Sequence, residues 1–267
     1  MKSAITLSQV PEASAGPFVL HTPLPETFAT AAQIGFDAVE LFLPGPDFVS
    51  VEEVKSLAEK YELSIAAVGT GAGWLTHGLS LTDSSSGKRE AALEFVLSMV
   101  RFGVQLGAPA ILGSMQRKSS DDASLGYLID GLHTCSQAAA GFLVPFIYEP
   151  LNRYETNLFN RLADAVAFIE ANDLRNVVLL ADLFHMNMEE QDVAAALLEA
   201  GRHIGHVHFA DSNRQAMGFG HTQAAAVIAA LREIGYAGYL SAEILPLPDP
   251  ESAARQTISS IRSLLKS

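Results

Sequence analysis

A regular alternation of short apolar runs with longer amphipathic ones constrains this chain more than any other feature. Ile5–Val10, Asp37–Leu43, Leu63–Gly69, Ala108–Gly113, Phe142–Glu149, Asn176–Asp182, Ile204–Ala210 and Tyr239–Glu243 read as strands. Pro23–Gly35, Val51–Tyr61, Gly87–Leu106, Ser119–Ala140, Leu158–Asn172, Asp192–Ala200, Thr222–Gly235 and Glu251–Lys266 read as the helices between and after them. Eight strand–helix units, at about one unit per 33 residues, are the count of a closed α/β barrel of the (β/α)8 or TIM type. An open doubly wound sheet would place a Gly-x-Gly-x-x-Gly turn after the first strand, and Ile5–Gly16 carries none. The later Gly69-Thr70-Gly71-Ala72-Gly73 is only a partial match. No Pro/Gly/Ser-rich linker or low-complexity stretch divides the chain, so residues 1–267 are read as one domain.

Composition then narrows the function. A net charge of −13 repels phosphate backbones and argues against a nucleic-acid partner. Charge, Gly or Pro interrupts every apolar run before it reaches membrane-spanning length, and the N-terminus has no signal-peptide pattern. The lone Cys135 forms no internal disulfide and fits a reducing compartment, so the expected location is cytoplasmic.

The candidate chemistry sits where strands end. The run Gly141–Ile147 leads into Tyr148-Glu149-Pro150, placing a carboxylate at the end of an interior strand, where it is costly without a partner. Asp182 ends the sixth strand, His208 lies near the end of the seventh, and Glu243 ends the eighth. The separations of 33, 26 and 35 residues are each close to one strand–helix unit. The four side chains are therefore expected to project from adjacent strands at the rim where barrel active sites lie. Any one alone reads as an ordinary rim ion pair. Four at matched strand ends read as a divalent-metal site, with three carboxylates and one imidazole suiting Mn, Co or Mg better than structural zinc.

Around this set, His185 lies three residues past Asp182 and reads as a donor to a substrate oxygen rather than a second ligand. His206, on the same strand face as His208, reads as a core or supporting histidine. Arg214 is the natural partner of a substrate oxygen, with a rim ion pair to Asp211 as the plain alternative. Gly218-Phe219-Gly220-His221 reads as a tight loop whose glycines permit close backbone approach.

Five segments in order, Phe36–Leu41, Gly78–Thr82, Glu149-Pro150-Leu151-Asn152-Arg153, Asp182–Asn187 and His208–Arg214, together resemble the xylose-isomerase-like TIM-barrel sugar isomerases and epimerases. Ketose 3-epimerases and keto-sugar-acid epimerases are the nearest type. The resemblance covers nearly the whole chain. It implies one metal held by Glu149, Asp182, His208 and Glu243, with Glu149 and Glu243 doubling as the acid/base pair. It further implies substrate contacts from Glu155, His185 and Arg214, and a dimer or tetramer. Met217 and Gln223 depart from residues common in such proteins, which bears on the substrate more than on the metal.

The expected reaction moves a proton on a carbon next to a carbonyl, through a metal-bound enediolate. Two carboxylates on opposite faces give epimerisation, and return of the proton to the neighbouring carbon gives isomerisation. A lyase or dehydratase on the same barrel (of the inosose or dehydroshikimate dehydratase kind, or cleaving an oxidised glycoside) is the alternative enzyme. A DNA-repair endonuclease would need more histidines and a basic face, and a non-catalytic sugar-binding barrel would not need both glutamates.

Overall fold

The computed structural model describes residues 1–119, 121 and 123–266. Eight parallel strands close into one barrel in chain order. They are β1 (Lys2–Ser8), β2 (Ala38–Phe42), β3 (Ser64–Gly69), β4 (Ala110–Leu112), β5 (Phe146–Tyr148), β6 (Val177–Asp182), β7 (Ile204–His208) and β8 (Tyr239–Ala242). The helices are α1 (Leu24–Ile34), α2 (Val51–Tyr61), α3 (Ala72–His77), α4 (Ser86–Gln105), α5 (Ser124–Ala140), α6 (Leu162–Ala171), α7 (Leu183–Glu189), α8 (Val193–Ala200), α9 (Ala224–Glu233) and α10 (Pro250–Lys266). No helix among the described residues is long and apolar enough to cross a membrane.

Local chemistry sets the element ends. Ser50 Oγ accepts the Glu53 N–H at 3.1 Å, capping the first turn of α2. Gly35, at φ 98°, takes the left-handed conformation that stops α1. Two helices fall where a loop was expected. The Gly-rich stretch after β3 folds partly into α3, and the segment after Asp182 winds into α7, with Asp182 itself as its N-cap.

Some boundaries differ from the sequence expectation. The first strand runs Lys2–Ser8, not Ile5–Val10. The fifth is only Phe146–Tyr148, because Phe142 and Leu143 lie on an exposed turn after α5 and Leu143 has φ 59°. The helix expected over Ser119–Ala140 begins at Ser124, and residues 120 and 122 of that stretch lie outside the described set.

The main core lies between the strands and the surrounding helices, where Phe28, Phe146, Phe209 and Tyr148 are fully buried. Each contributes on the order of 2–3 kcal/mol through burial of apolar surface. Inside the barrel, small clusters fill the lower layers: Ala4, Ala38 and Ala66, then Ala67, Ile111, Ile147 and Leu180. Successive side chains of a strand alternate between inside and outside. The residues two places beyond Ile147 and Leu180, namely Glu149 and Asp182, therefore also face inward, one layer nearer the carboxyl ends.

Candidate metal centre and substrate pocket

Each predicted ligand is held by its own local geometry. Asp182 uses one oxygen locally: its Oδ1 accepts the Phe184 N–H at 2.8 Å as the cap of α7. Its Oδ2 is buried and has no hydrogen-bond partner. His208 is the direct cross-strand partner of Asp182. Glu149 follows β5 directly, with its N–H donating to the Leu112 carbonyl at 3.0 Å. Its own carbonyl accepts from Gln116 Nε2 at 2.7 Å, and Gln116 is fixed in turn by the Tyr148 hydroxyl at 2.6 Å. The Glu149 carboxylate then leans over Gly113, where an added Cβ would come 2.2 Å from Oε2.

These groups converge on His208 Nδ1, which is also buried and without a hydrogen-bond partner. It lies 3.5 Å from Asp182 Oδ2, 3.8 Å from Glu149 Oε1 and 3.8 Å from Glu243 Oε2. Such separations are long for hydrogen bonds and suit ligands spaced around one cation. Donor atoms of Glu149, Asp182 and His208 lie within 4.8 Å of one another, with Glu243 alongside. The unpartnered Asp182 and His208 atoms, facing each other in a buried acidic pocket, fit a hard divalent ion.

The electrostatics point the same way. Burial pushes the Glu149 carboxyl well above its usual range; His208 opposes this, while Glu243, Asp182 and Glu155 add to it. Burial works against a charged His208, yet Glu40 and Glu243 raise its pKa well above the ordinary imidazole value. Burial also resists the charge on Asp182, but His185, His208 and Arg214 hold its carboxyl below the usual range.

The remaining predicted residues border the same space. A cavity of about 360 Å³ is lined by Glu149, Glu155, His185, His208, Arg214 and Glu243, with Phe18, Phe42 and Trp74 on its apolar side. His185 Nε2 is 3.6 Å from Asp182 Oδ2 and 3.9 Å from Glu149 Oε1. Arg214 Nη2 donates to Glu243 Oε2 at 2.5 Å, and its guanidinium lies 4.8 Å from the Phe184 ring centre. The ion pair of Arg214 is thus with Glu243, not with Asp211. Asp211 is instead occupied with the backbone N–H groups of Ser212, Gly218, Gly220 and Thr222, at 2.7 to 2.9 Å. The glycines are what permit this, since a Cβ on Gly220 would come 2.4 Å from Asp211 Oδ1.

Glu40 of β2 is a member of the site that strand-end spacing does not reveal. It is buried, and accepts from His206 Nε2 at 2.6 Å, His208 Nε2 at 3.0 Å and Thr6 Oγ1 at 3.3 Å. Burial resists its charge, but the two histidines hold its carboxyl well below the usual range. The signal that could have found it is the one used for Glu149: a carboxylate inside an apolar strand needs a partner. Glu40, His206 and His208 also form a ligand-like trio, but their atoms already exchange hydrogen bonds, so the open side of His208 is Nδ1.

Comparison with known proteins agrees with this architecture. The chain is 32% identical over 249 residues to the 3-dehydro-D-guloside 4-epimerase of Escherichia coli (strain K12), covering 89% of this chain and 94% of that protein. It is 32% identical over 240 residues to the L-ribulose 3-epimerase of Mesorhizobium japonicum, covering 84% and 76% respectively. A solved L-ribulose 3-epimerase superposes with a TM-score of 0.83 at 25% identity, covering 99% of this chain and 94% of the other. The apo 3-keto-D-glucoside 4-epimerase of E. coli does so with a TM-score of 0.79 at 26% identity, covering 98% and 100%. The pattern of one protein family runs through residues 28–264, and on that match the chain belongs to the xylose isomerase-like TIM barrel family.

Proposed function

We propose that the protein is a divalent-metal-dependent carbohydrate epimerase, an isomerase that inverts a carbon next to the carbonyl of a ketose or of a keto-glycoside. The observation that carries this reading is the convergence of Glu149, Asp182 and Glu243 on His208 Nδ1, with Asp182 Oδ2 and His208 Nδ1 unsatisfied. Relatives named as ketose 3-epimerases and as a keto-glycoside 4-epimerase supply the reaction class. Glu149, Asp182, His208 and Glu243 would hold the ion, with Mn the expected metal and Co or Mg the alternatives. A bound cation would polarise a substrate carbonyl and so acidify the neighbouring C–H.

The protein groups then move the proton. Glu149 and Glu243 are the acid/base pair: one removes the proton from one face of the carbon and the other returns a proton to the opposite face. Arg214 orients Glu243 and offers its remaining N–H groups to a substrate oxygen. His185 and Glu155 contact substrate hydroxyls from the loop side of the cavity.

The assay is NMR of a panel of ketoses and keto-glycosides in deuterated water with added manganese. Deuterium should appear at the inverted carbon. A product that has lost water or a leaving group would replace this reading with a lyase, and no exchange on any panel member would overturn both. The single Cys135 is buried, and burial pushes its thiol up to about 12, which fits our reading of a cytoplasmic protein with a free structural thiol. We take residues 1–267 to be one domain that assembles as a dimer or tetramer; light scattering in solution tests the assembly.

A further inference from the structure

Asn152 sits in the loop after β5 and is buried between two groups of the cavity. Its Oδ1 accepts the Tyr154 N–H at 3.0 Å. Its Nδ2 lies 3.0 Å from Glu155 Oε1 and 2.7 Å from His185 Nδ1. A backbone N–H can only donate, so the Tyr154 contact makes the amide atom facing it the oxygen. The other end, turned to Glu155 and His185, is therefore the nitrogen. His185 Nδ1 therefore faces an N–H donor and must present a lone pair, which leaves the ring proton on Nε2.

That Nε2–H points into the cavity. Its neighbours, Asp182 Oδ2 at 3.6 Å and Glu149 Oε1 at 3.9 Å, are too distant to consume it as a hydrogen bond. His208 is set the opposite way. Its Nε2 is 3.0 Å from Glu40 Oε1, so that nitrogen carries a proton and Nδ1 is the one turned to the cluster. Two imidazoles border the same space, and their outer hydrogen bonds give them opposite tasks: a lone pair that His208 would turn to a bound cation, and an N–H from His185.

We propose that Asn152 is a positioning residue that locks His185 as the Nε2–H tautomer, making it a hydrogen-bond donor to a substrate oxygen and not a metal ligand. The proposal rests on the epimerase reading only for the identity of the substrate oxygen. The tautomer itself needs no substrate.

The test uses the full chain labelled with 15N-histidine. Two-bond nitrogen–proton correlations report the tautomer of each ring, and a His185→Asn sample identifies the His185 signals by subtraction. The wild-type protein, with and without manganese, should show His185 protonated at Nε2 and unprotonated at Nδ1. Asn152→Asp keeps the shape and keeps an acceptor for Tyr154, but replaces the donor to His185, and to Glu155, with an acceptor. In that variant the single ring proton of His185 should move from Nε2 to Nδ1, manganese affinity should stay within about threefold, and turnover should fall about 100-fold. Wild-type His185 protonated at Nδ1 overturns the assignment, and so does a tenfold or greater loss of manganese affinity in Asn152→Asp. If that variant does not fold, the wild-type spectrum alone decides. A protein inactive on every sugar tested but showing the Nε2–H signal would refute the proposed function and leave the tautomer assignment standing.

Discussion

Gly113→Ala is the sharpest probe of the centre, because it displaces a proposed ligand without touching its chemistry. The new Cβ would lie 2.2 Å from Glu149 Oε2 and 3.4 Å from Glu149 Cδ. Carbon–oxygen contacts settle at about 3.3 Å or more, so the carboxylate must retreat by about 1 Å. The Glu149 backbone cannot follow easily, being tied to Leu112 at 3.0 Å and to Gln116 at 2.7 Å. The movement therefore falls on the side chain. Ligand distances tolerate only about 0.2 Å, and misplacing a reacting group by about 1 Å costs about 100-fold in rate. We expect manganese affinity to drop at least tenfold by calorimetric titration, and turnover at saturating manganese to drop about 100-fold. The overpacking itself should cost about 1–3 kcal/mol of stability, leaving the barrel folded. A Glu149→Asp substitution withdraws the carboxylate by one methylene, so the double variant should lose less than the sum of the two single losses. Affinity and turnover both within threefold of wild type would show that Glu149 is not held where the reasoning requires.

Glu40→Gln removes the charge behind His208 while keeping its shape, and manganese affinity should fall about 10- to 100-fold by the same titration with circular dichroism unchanged. Asp211→Asn replaces the charged acceptor of four backbone N–H groups, and chemical denaturation at neutral pH should show a loss of about 2 kcal/mol. Burial works against the Asp211 charge, but those bonds depress its carboxyl to about 2 from the ordinary 3.8, so its stabilisation is complete above 3.8 and is lost as pH falls through about 2. The gap between wild type and Asp211→Asn should therefore close over that window. Manganese at about 100 times its dissociation constant should stabilise the fold by about 2.7 kcal/mol, read as a melting-temperature rise of about 5–10 °C that a chelator reverses.

The barrel was legible because each unit announces itself twice, by a short apolar run and by a longer amphipathic one. What composition cannot tell is whether an apolar side chain at a run's end is inside. Phe142 and Leu143 read as strand, yet they are 60% and 96% exposed on the turn that precedes β5. The helix α7 is not legible as a separate element, because Asp182 both ends β6 and caps α7 by accepting the Phe184 N–H. The four proposed ligands were readable from strand-end spacing alone, and the structure brings them together. Glu40 and Asn152 were not, because their roles depend on partners far away in sequence: His208, 168 residues on, and His185, 33 residues on. Spacing reveals what shares a rim, whereas a hydrogen bond across the barrel reveals itself only after closure.

The alternation that closes the barrel also explains why the acids gather. Ile111, Ile147 and Leu180 share one inward cluster, and the residues two places further on are Gly113, Glu149 and Asp182. His208 pairs across the sheet with both Asp182 and Ser241, and Glu243 lies two beyond that serine. On the β4–β6 side one layer is thus apolar and filled, and the next, nearer the open end, is acidic with a glycine beside it; on β7 the residue level with Leu180 is His206, tied to Glu40. Stacking an acidic layer on an apolar one deprives the carboxylates of water from below, so their mutual repulsion is poorly screened. The protein responds by holding positive charge and protons there. Glu149 and His208 are pushed up together, and Glu243 with Asp182 pushes Arg214 up as well, against the opposing effect of its burial. A self-contained ion-pair network would have matched its charges and satisfied its atoms. Here Asp182 Oδ2 and His208 Nδ1 are left unpartnered at the centre of that field, and this makes a cation, rather than another side chain, the natural counterpart of the layer.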